Sequence, residues 1–186
     1  MVIGAVILIY PFLPYLQYQL FPPSSNYTGQ DQIIPEEKSF FSFLPLVGKK
    51  STPEDKSGNR LIIPKIGVDT RIVEGQDDRA LLRGAWHLPR TSSPEKGGNT
   101  VITGHRFRFR PPNNTTFYLL DKVDINDDIV VIWEEKEYRY RVKETKIVNP
   151  DQTEILAITE EPTLTLYTCT PLFTIKQRLV VVSELI

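Results

Sequence analysis

Hydrophobic and polar residues follow a regular pattern only after Asn59. Short runs rich in β-branched and aromatic residues recur there, and Pro, Gly, Asn and Asp bound them, which is typical of short strands. The predicted strands are Arg60–Ile63, Val68–Val73, Asn99–Thr103, Asp128–Trp133, Tyr138–Val148, Leu164–Thr168 and Leu179–Val182. Short strands at this spacing favour a small closed barrel or a sandwich over a parallel βαβ sheet.

Two segments between these strands predict short helices. Residues 78–83 are long enough for one helical turn, and Asn114-Thr115 is a capping sequence for a helix over Phe117–Val123. From 138 to 143, Tyr or Val alternates with Arg or Lys, so one face of that predicted strand is solvated. The segment 59–186 is therefore predicted to be one mainly β domain.

The first part of the chain is apolar and uncharged. Residues 1–21 begin with a nearly continuous apolar run, and no charged residue precedes Asp31. The run is shorter than the ~20 residues of a spanning helix, and Pro11 and Pro14 interrupt its end. We interpret 1–21 as a membrane-anchor segment whose N-terminal part is missing. The alternative is an apolar arm that packs on the domain.

The segment 22–58 connects this apolar stretch to the domain. It is rich in Pro, Ser, Asn, Thr, Gln and charged residues, and it has no sustained period of two or 3.6 residues. This composition is typical of an extended linker.

Charge and cysteine content narrow the functional classes. The chain has 186 residues and a formal net charge of -1, so no basic field indicates nucleic acid as a partner. Its single cysteine, Cys169, excludes an internal disulfide. Outside the membrane, a lone thiol indicates intermolecular pairing or a reactive group.

Three residues at predicted strand ends are candidates for acyl-transfer chemistry. Cys169 follows a strand, His105 follows Val-Ile-Thr-Gly, and Arg178 begins the last strand. A thiol attacks an acyl carbon as the thiolate, so it needs a proton acceptor or a nearby cation. Arginine stays protonated and offers five donors to a developing oxyanion. Taken singly, each has an ordinary explanation, as a core cysteine, a turn histidine and a surface arginine.

Together, the segments that carry these residues strongly resemble the signature segments of sortases, in the family's order and separation. They are Ile102–Arg106, Leu164–Pro171 and Arg178–Val181. The resemblance extends to Ile62–Ile66 and Leu82–His87 and covers roughly residues 59–186. The apolar N-terminal segment and the linker also match the family's layout.

The resemblance implies an eight-stranded sortase-type β-barrel with one or two short helices. It implies a cysteine transpeptidase in which Cys169 is the nucleophile, His105 the acid/base partner and Arg178 the charge-stabilising group. Thr168 and Thr170, which flank the cysteine, are predicted to contact the substrate. No cofactor and no required metal are expected.

The resemblance also implies the substrates and the location. Secreted proteins with a C-terminal sorting signal of the Leu-Pro-x-Thr-Gly kind would be cleaved between Thr and Gly through a Cys169 thioester. The acceptor would be an amine on a cell-wall precursor or on another protein. The enzyme would be a single-pass protein of the cell membrane with its catalytic domain outside the cytoplasm. The Thr-Cys-Thr-Pro ending favours class D or E.

Two other functions stay open on the sequence. One is a cysteine protease that only hydrolyses its thioester, and the other is a non-catalytic wall-binding barrel. His87 is the rival histidine, although no Gly-His strand end precedes it. The run Arg106–Arg110 is either a phosphate-binding patch or a loop edge with its Phe side chains turned inward, and we prefer the second. The acidic pairs at 77–78 and 160–161 are poor calcium sites, since two adjacent acids supply too few ligands.

Overall fold

The structure is a computed structural model that describes residues 13–21, 58–111 and 113–186. The predicted linker over 22–58 and most of the predicted anchor over 1–21 therefore lie outside the described residues. Leu13–Leu20 form a helix, α1. In the three described ranges, no helix is both long enough and apolar enough to cross a membrane.

The described domain is a closed eight-stranded barrel, which confirms the predicted fold class. Its strands are β1 Arg60–Ile63, β2 Val68–Glu74, β3 Ala85–His87, β4 Asn99–Thr103, β5 Asp128–Trp133, β6 Lys136–Val148, β7 Thr163–Thr170 and β8 Gln177–Leu185. Their order around the barrel is β1-β2-β3-β4-β7-β8-β6-β5. The pairs β2–β3 and β4–β7 are parallel, and the other pairs are antiparallel. Closure leaves no free strand edge in the sheet.

Alternate strand residues fill the core of the barrel. On β7, Leu164 and Leu166 are fully buried in the core, and on β8 Val181 is buried beside them. The segment after β4 adds Phe117 and Tyr118, both fully buried. This alternation decides which residues of β7 and β8 face the core and which face outward.

The helix predicted over Phe117–Val123 is wrong, because only a 3₁₀ turn over Leu120–Lys122 forms there. Four consecutive residues, 117–120, are buried, which a one-sided amphipathic helix does not allow. The predicted turn at 78–83 is confirmed as a 3₁₀ helix, Asp78–Leu82, whose first turn is capped by the Asp77 carboxylate.

Strand β3 was not predicted from the sequence. It has only three residues, which is too few for a periodic pattern. It pairs with β2 in parallel, so no hairpin turn sequence connects the two strands. Gly84 precedes it, and a Cβ built on Gly84 would lie 2.3 Å from the carbonyl oxygen of Arg71. A glycine is therefore required for β3 to approach β2.

Helix α1 packs against the barrel through its tyrosines. The Tyr15 ring lies 5.6 Å from the Tyr118 ring, and its hydroxyl donates to the Asp121 carboxylate at 2.9 Å. Leu16 and Leu20 are exposed on α1. The helix thus contacts the domain at the segment that follows β4.

Candidate active site

Cys169 lies on the outer side of β7, near the end of the strand. The neighbouring Thr168 and Thr170 are buried, whereas Cys169 is half-buried. Because side chains alternate along a strand, the thiol points away from the core that Leu164 and Leu166 fill. The sulfur is therefore placed at a surface that a substrate could reach.

Arg178 lies directly opposite Cys169 on the neighbouring strand. Strands β7 and β8 are antiparallel, and Cys169 and Arg178 are Cα partners in their ladder. Directly opposed residues project from the same face, with Cβ atoms about 5 Å apart. In the described structure, the hydrogen bonds of the Arg178 guanidinium come from Nη1, which donates to the carbonyls of Ile175 and Gln177 at 3.0 Å. Its Nε and Nη2 make no hydrogen bond to the residues that the structure describes, and we assign them to a ligand.

His105 follows the end of β4, the strand that pairs with β7 on the side opposite β8. Strands β4 and β7 are parallel, and their ladder ends at the pair Thr103 and Tyr167. His105 and Cys169 each follow two residues later. The alignment continues past the ladder, because the Thr168 hydroxyl donates to the Gly104 carbonyl at 2.7 Å. His105 thus follows the end of β4 beside the end of β7 that carries Cys169, and Arg178 lies opposite Cys169 on β8.

The His105 imidazole is held in a largely apolar setting. Its Nε2 is buried and has no hydrogen-bond partner among the residues that the structure describes. The ring meets Phe109 edge to face, with ring centroids 6.2 Å apart. Burial lowers the pKa of His105 below its ordinary value, the Arg108 charge lowers it further, and Asp78 opposes the shift. A buried polar atom without a partner costs about 1–3 kcal/mol, so such an atom is a candidate functional group.

His87, the rival histidine, has a different environment. It is buried on β3, with Nδ1 3.0 Å from a Glu74 carboxylate oxygen and Nε2 2.8 Å from the Ser92 carbonyl oxygen. Its ring contacts Trp133 edge to face. Both nitrogens are engaged by the protein, so the geometry favours His105 as the acid/base candidate.

Tyr167 connects these residues electrostatically. It lies two residues before Cys169 on the same face of β7 and is half-buried. Burial raises the pKa of its phenol, a hydrogen bond with Thr103 and the charge of Arg178 lower it, and Cys169 raises it. Cys169 and Arg178 therefore both act on one neighbouring side chain.

The hydroxyls of Thr168 and Thr170 are occupied by the protein. Thr168 bonds the Gly104 carbonyl, and the Thr170 hydroxyl accepts from Arg106 Nη1 at 2.8 Å. Both side chains are buried and connect β7 to the segment that carries His105. Substrate contact by these two residues stays a prediction.

Arg106 was missed as a site residue. The sequence predicts a loop edge at 106–110, and Arg108 is exposed there while Phe107 and Phe109 are half-buried. Arg106 instead turns inward, where its Nη1 donates to the Cys169 carbonyl at 3.3 Å. Its position directly after His105 was the only signal in the sequence, and an arginine there is ordinarily solvated.

The described residues include no group of three or more His, Cys, Asp or Glu side chains that could hold a metal ion. Of the acidic pairs considered from the sequence, Asp77 is used to cap a 3₁₀ helix.

Comparison with known families identifies the domain. The family model described as a sortase domain matches residues 61–186. The chain is 30% identical to Sortase D of Bacillus subtilis over 77% of its length, and 27% identical to Sortase A of Listeria monocytogenes over 74%. It is 29% identical to sortase SrtE1 of Streptomyces coelicolor over 75%. These alignments span only 66%, 60% and 44% of the three relatives.

Solved structures agree with this match. Sortase C1 of GBS Pilus Island 1 superposes with a TM-score of 0.63 at 33% identity, over 70% of this chain and 64% of that one. The Clostridium perfringens Sortase D5 transpeptidase superposes with a TM-score of 0.62 at 31% identity, over 70% of this chain and 79% of that one. Classes D and E, expected from the sequence, both occur among these relatives.

Proposed function

The chain belongs to the sortase family, and from this premise we propose that it is a transpeptidase that works through Cys169, His105 and Arg178. The observation that supports the proposal is the pairing of Cys169 with Arg178 across β7 and β8, beside the end of β4 that leads into His105. A half-buried thiol beside a cation, with a half-buried imidazole after the end of the adjoining strand, has the components that acyl transfer needs.

In the proposed reaction, His105 takes the proton of the Cys169 thiol, and the sulfur attacks the Thr carbonyl carbon of the sorting signal. A C–S bond forms, and the carbonyl π electrons move to the oxygen, which Arg178 stabilises. When the peptide C–N bond breaks, His105 returns its proton to the leaving glycine amine. The acceptor amine then attacks the thioester carbon, so that a C–N bond forms and the C–S bond breaks. His105 takes one proton from the amine and passes it to the departing sulfur, which regenerates the thiol.

The surroundings of His105 suit both of its proposed tasks. Burial lowers its pKa, so the resting imidazole is mainly neutral at physiological pH and can accept the thiol proton. Once protonated in an apolar setting, it donates readily to the leaving amine. The unpartnered Nε2 is the atom that we assign to this transfer.

The proposed substrates are secreted proteins with a C-terminal Leu-Pro-x-Thr-Gly-type signal, cut between Thr and Gly. The proposed acceptor is an amine on a cell-wall precursor or on another protein. Thr168 and Thr170 are proposed to support substrate binding, by fixing the β7 backbone beside the thiol. We also propose that the uncharged N-terminal segment anchors the enzyme in the membrane through its part before α1, with the barrel outside the cytoplasm, since α1 itself packs on the barrel through Tyr15.

Mass spectrometry tests the reaction. The enzyme is incubated with a Leu-Pro-x-Thr-Gly peptide, with and without a glycine-based amine, and adducts on Cys169 are trapped by acid quenching. The proposal expects a thioester on Cys169 and an amine-linked product. A hydrolysed peptide alone would indicate a protease, and an unmodified cysteine with intact peptide would indicate a non-catalytic barrel.

Two substitutions test the partners of the thiol. His105→Ala and Arg178→Ala are each expected to slow acylation by about 100-fold or more, as is typical for acid/base and oxyanion groups. His87→Gln is the matched control, because His87 is the only other histidine in the chain. If His87→Gln folds and loses activity while His105→Ala does not, the assignment of His105 is wrong.

A further inference from the structure

Arg106 is a buried arginine directly beside the proposed acid/base residue. Only 4% of its surface is exposed, although it lies in a polar segment between His105 and Phe107. A charged side chain is seldom buried to this extent unless it is fully paired. Its surroundings therefore indicate a specific task in the molecule.

Every donor of this guanidinium has an acceptor. Nε donates to the Tyr118 carbonyl at 3.4 Å, and Nη1 donates to the Cys169 carbonyl at 3.3 Å and to the Thr170 hydroxyl at 2.8 Å. Nη2 lies 2.9 Å from Asp121 Oδ1 and donates to the Tyr15 hydroxyl at 3.4 Å. An arginine has five N–H donors in a fixed plane, and here each of them is directed to a different group.

These acceptors belong to separate parts of the fold. Cys169 and Thr170 end β7, Tyr118 and Asp121 lie in the segment after β4, and Tyr15 belongs to α1. One planar group thus fixes the main chain of the proposed nucleophile relative to the main chain that carries the proposed base. The Tyr15 hydroxyl supports the outer side, because it also donates to Asp121.

We propose that Arg106 is a positioning residue that holds Cys169 in register with His105, and that Tyr15 of α1 fixes Arg106 in turn. This inference rests on the proposed function. Arg106 contacts the Cys169 carbonyl and not the thiol, and the Asp121 carboxylate neutralises its charge. Arg106 therefore affects the position of Cys169 and not its charge. Helix α1 contributes to this positioning through Tyr15.

Geometry of this kind has a large effect on rate. The reacting atoms of an acyl transfer must approach to roughly 3–3.5 Å, and a displacement of about 1 Å can cost about 100-fold. Lysine at position 106 would retain the charge but has three donors on one nitrogen and no planar fork. It cannot serve β7, the Tyr118 carbonyl and α1 at the same time.

The test compares acylation rates of the full chain with its stability. Arg106→Lys is expected to lower kcat for acylation by about 10–100-fold per folded molecule, with KM changed less than about twofold since the substrate contacts persist. Arg141→Lys is the matched control, because Arg141 forms a surface ion pair with Asp128. Its Cα partner on β8 is Glu184, which lies at the other end of that strand from Arg178. Thermal unfolding of each variant gives the folded fraction.

Tyr15→Phe tests the contribution of α1 without removing the charge. Loss of the hydroxyl removes one bond to Arg106 and one to Asp121, so we expect acylation to slow by about three- to fivefold. Tyr18→Phe is the control, because Tyr18 lies one turn later on α1 and is also half-buried. The rate of Tyr18→Phe should equal that of the wild type.

The outcomes separate this inference from the proposed function. If Cys169→Ala still forms product, the proposed function fails. If Cys169→Ala is inactive but Arg106→Lys keeps the wild-type kcat, the positioning role is overturned. Should Arg106→Lys fail to fold, Tyr15→Phe decides: a wild-type rate overturns the inference, and a slower rate at unchanged KM supports it.

Discussion

The His105 side chain combines burial with a nearby positive charge. Both lower its pKa, and only Asp78 acts in the opposite direction. The unfolded chain therefore takes up this proton at a higher pH than the folded chain does. As the pH falls below the ordinary histidine pKa, uptake by the unfolded state reduces the free energy of unfolding. The loss in the free energy of unfolding is complete once the pH is below the pKa of His105 in the folded chain.

The pKa of His105 should respond to its two charged neighbours in opposite directions. Arg108→Ala removes a charge that lowers the pKa, so the pKa should rise. Asp78→Asn removes a charge that raises it, so the pKa should fall. NMR titration of the imidazole measures both shifts, and the His87 resonance in the same spectra is the control. Shifts of the same sign in both variants would contradict this description.

At the scale of elements, side-chain hydrogen bonds hold the end of β4 to β7 after the ladder stops. The Thr168 hydroxyl donates to the Gly104 carbonyl, and the Thr103 hydroxyl donates to the Tyr167 carbonyl at 2.9 Å. Parallel strands leave their ends without a connecting turn. These bonds therefore determine how closely the His105 segment follows the end of β7.

Thr168→Val should weaken this connection with little change in side-chain volume. The Gly104 carbonyl would lose its partner, and we expect a loss of about 1–3 kcal/mol in the free energy of unfolding, with slower acylation. Thr163→Val, at the other end of β7, removes a hydroxyl that bonds the Glu161 carbonyl at an exposed position. Urea denaturation and acylation rates compare the two. Equal acylation rates in both variants would be evidence against a role for this bond.

Gly84→Ala should disrupt the short strand β3. The new Cβ would lie 2.3 Å from the Arg71 carbonyl oxygen. To relieve this clash, the backbone of β2 would have to move away from β3, and the two strands would lose their pairing. We expect a loss of about 3 kcal/mol or more, at the upper end of overpacking effects. Gly58→Ala, where a Cβ meets nothing within 4 Å but φ is +68°, should cost only about 1–2 kcal/mol of backbone strain. Chemical denaturation distinguishes the two values.

At the scale of the whole molecule, stability at high pH depends on buried phenols. Burial raises the pKa of Tyr140 to about 12, and burial together with Asp121 raises the pKa of Tyr15 to about 12. Tyrosine in the unfolded chain ionises near 10. The stability that these phenols contribute is fully present below that pH and is lost as the pH rises through 12.

We therefore expect the free energy of unfolding to fall steeply between about pH 10 and 12. Tyr140→Phe cannot ionise and should flatten this decline, and Tyr15→Phe should do so too. Tyr138→Phe is the control, because Tyr138 lies on the same strand at a partly exposed position. Urea denaturation at several pH values measures the slope. An equal slope in Tyr138→Phe and Tyr140→Phe would contradict the role of burial.

The sequence by itself determined most strands and the three candidate residues. Alternating and β-branched runs predict β1, β2 and β4–β8, because each strand buries one face of its own side chains. The segments around His105, Cys169 and Arg178 are local, so their resemblance to a family is readable without a fold. The sequence does not contain the strand order and register that bring β4, β7 and β8 side by side.

Only the tertiary structure decided the rest. Strand β3 is too short for a periodic signal. The run at 117–120 is buried because all four residues join the core of the barrel, where the Phe117 ring packs against Gly104, and not because of local propensity. The contacts of Arg106 with Cys169, Asp121 and Tyr15 join residues far apart in sequence. An arginine is solvated or buried according to the acceptors that folding brings around it, and a sequence pattern does not contain that information.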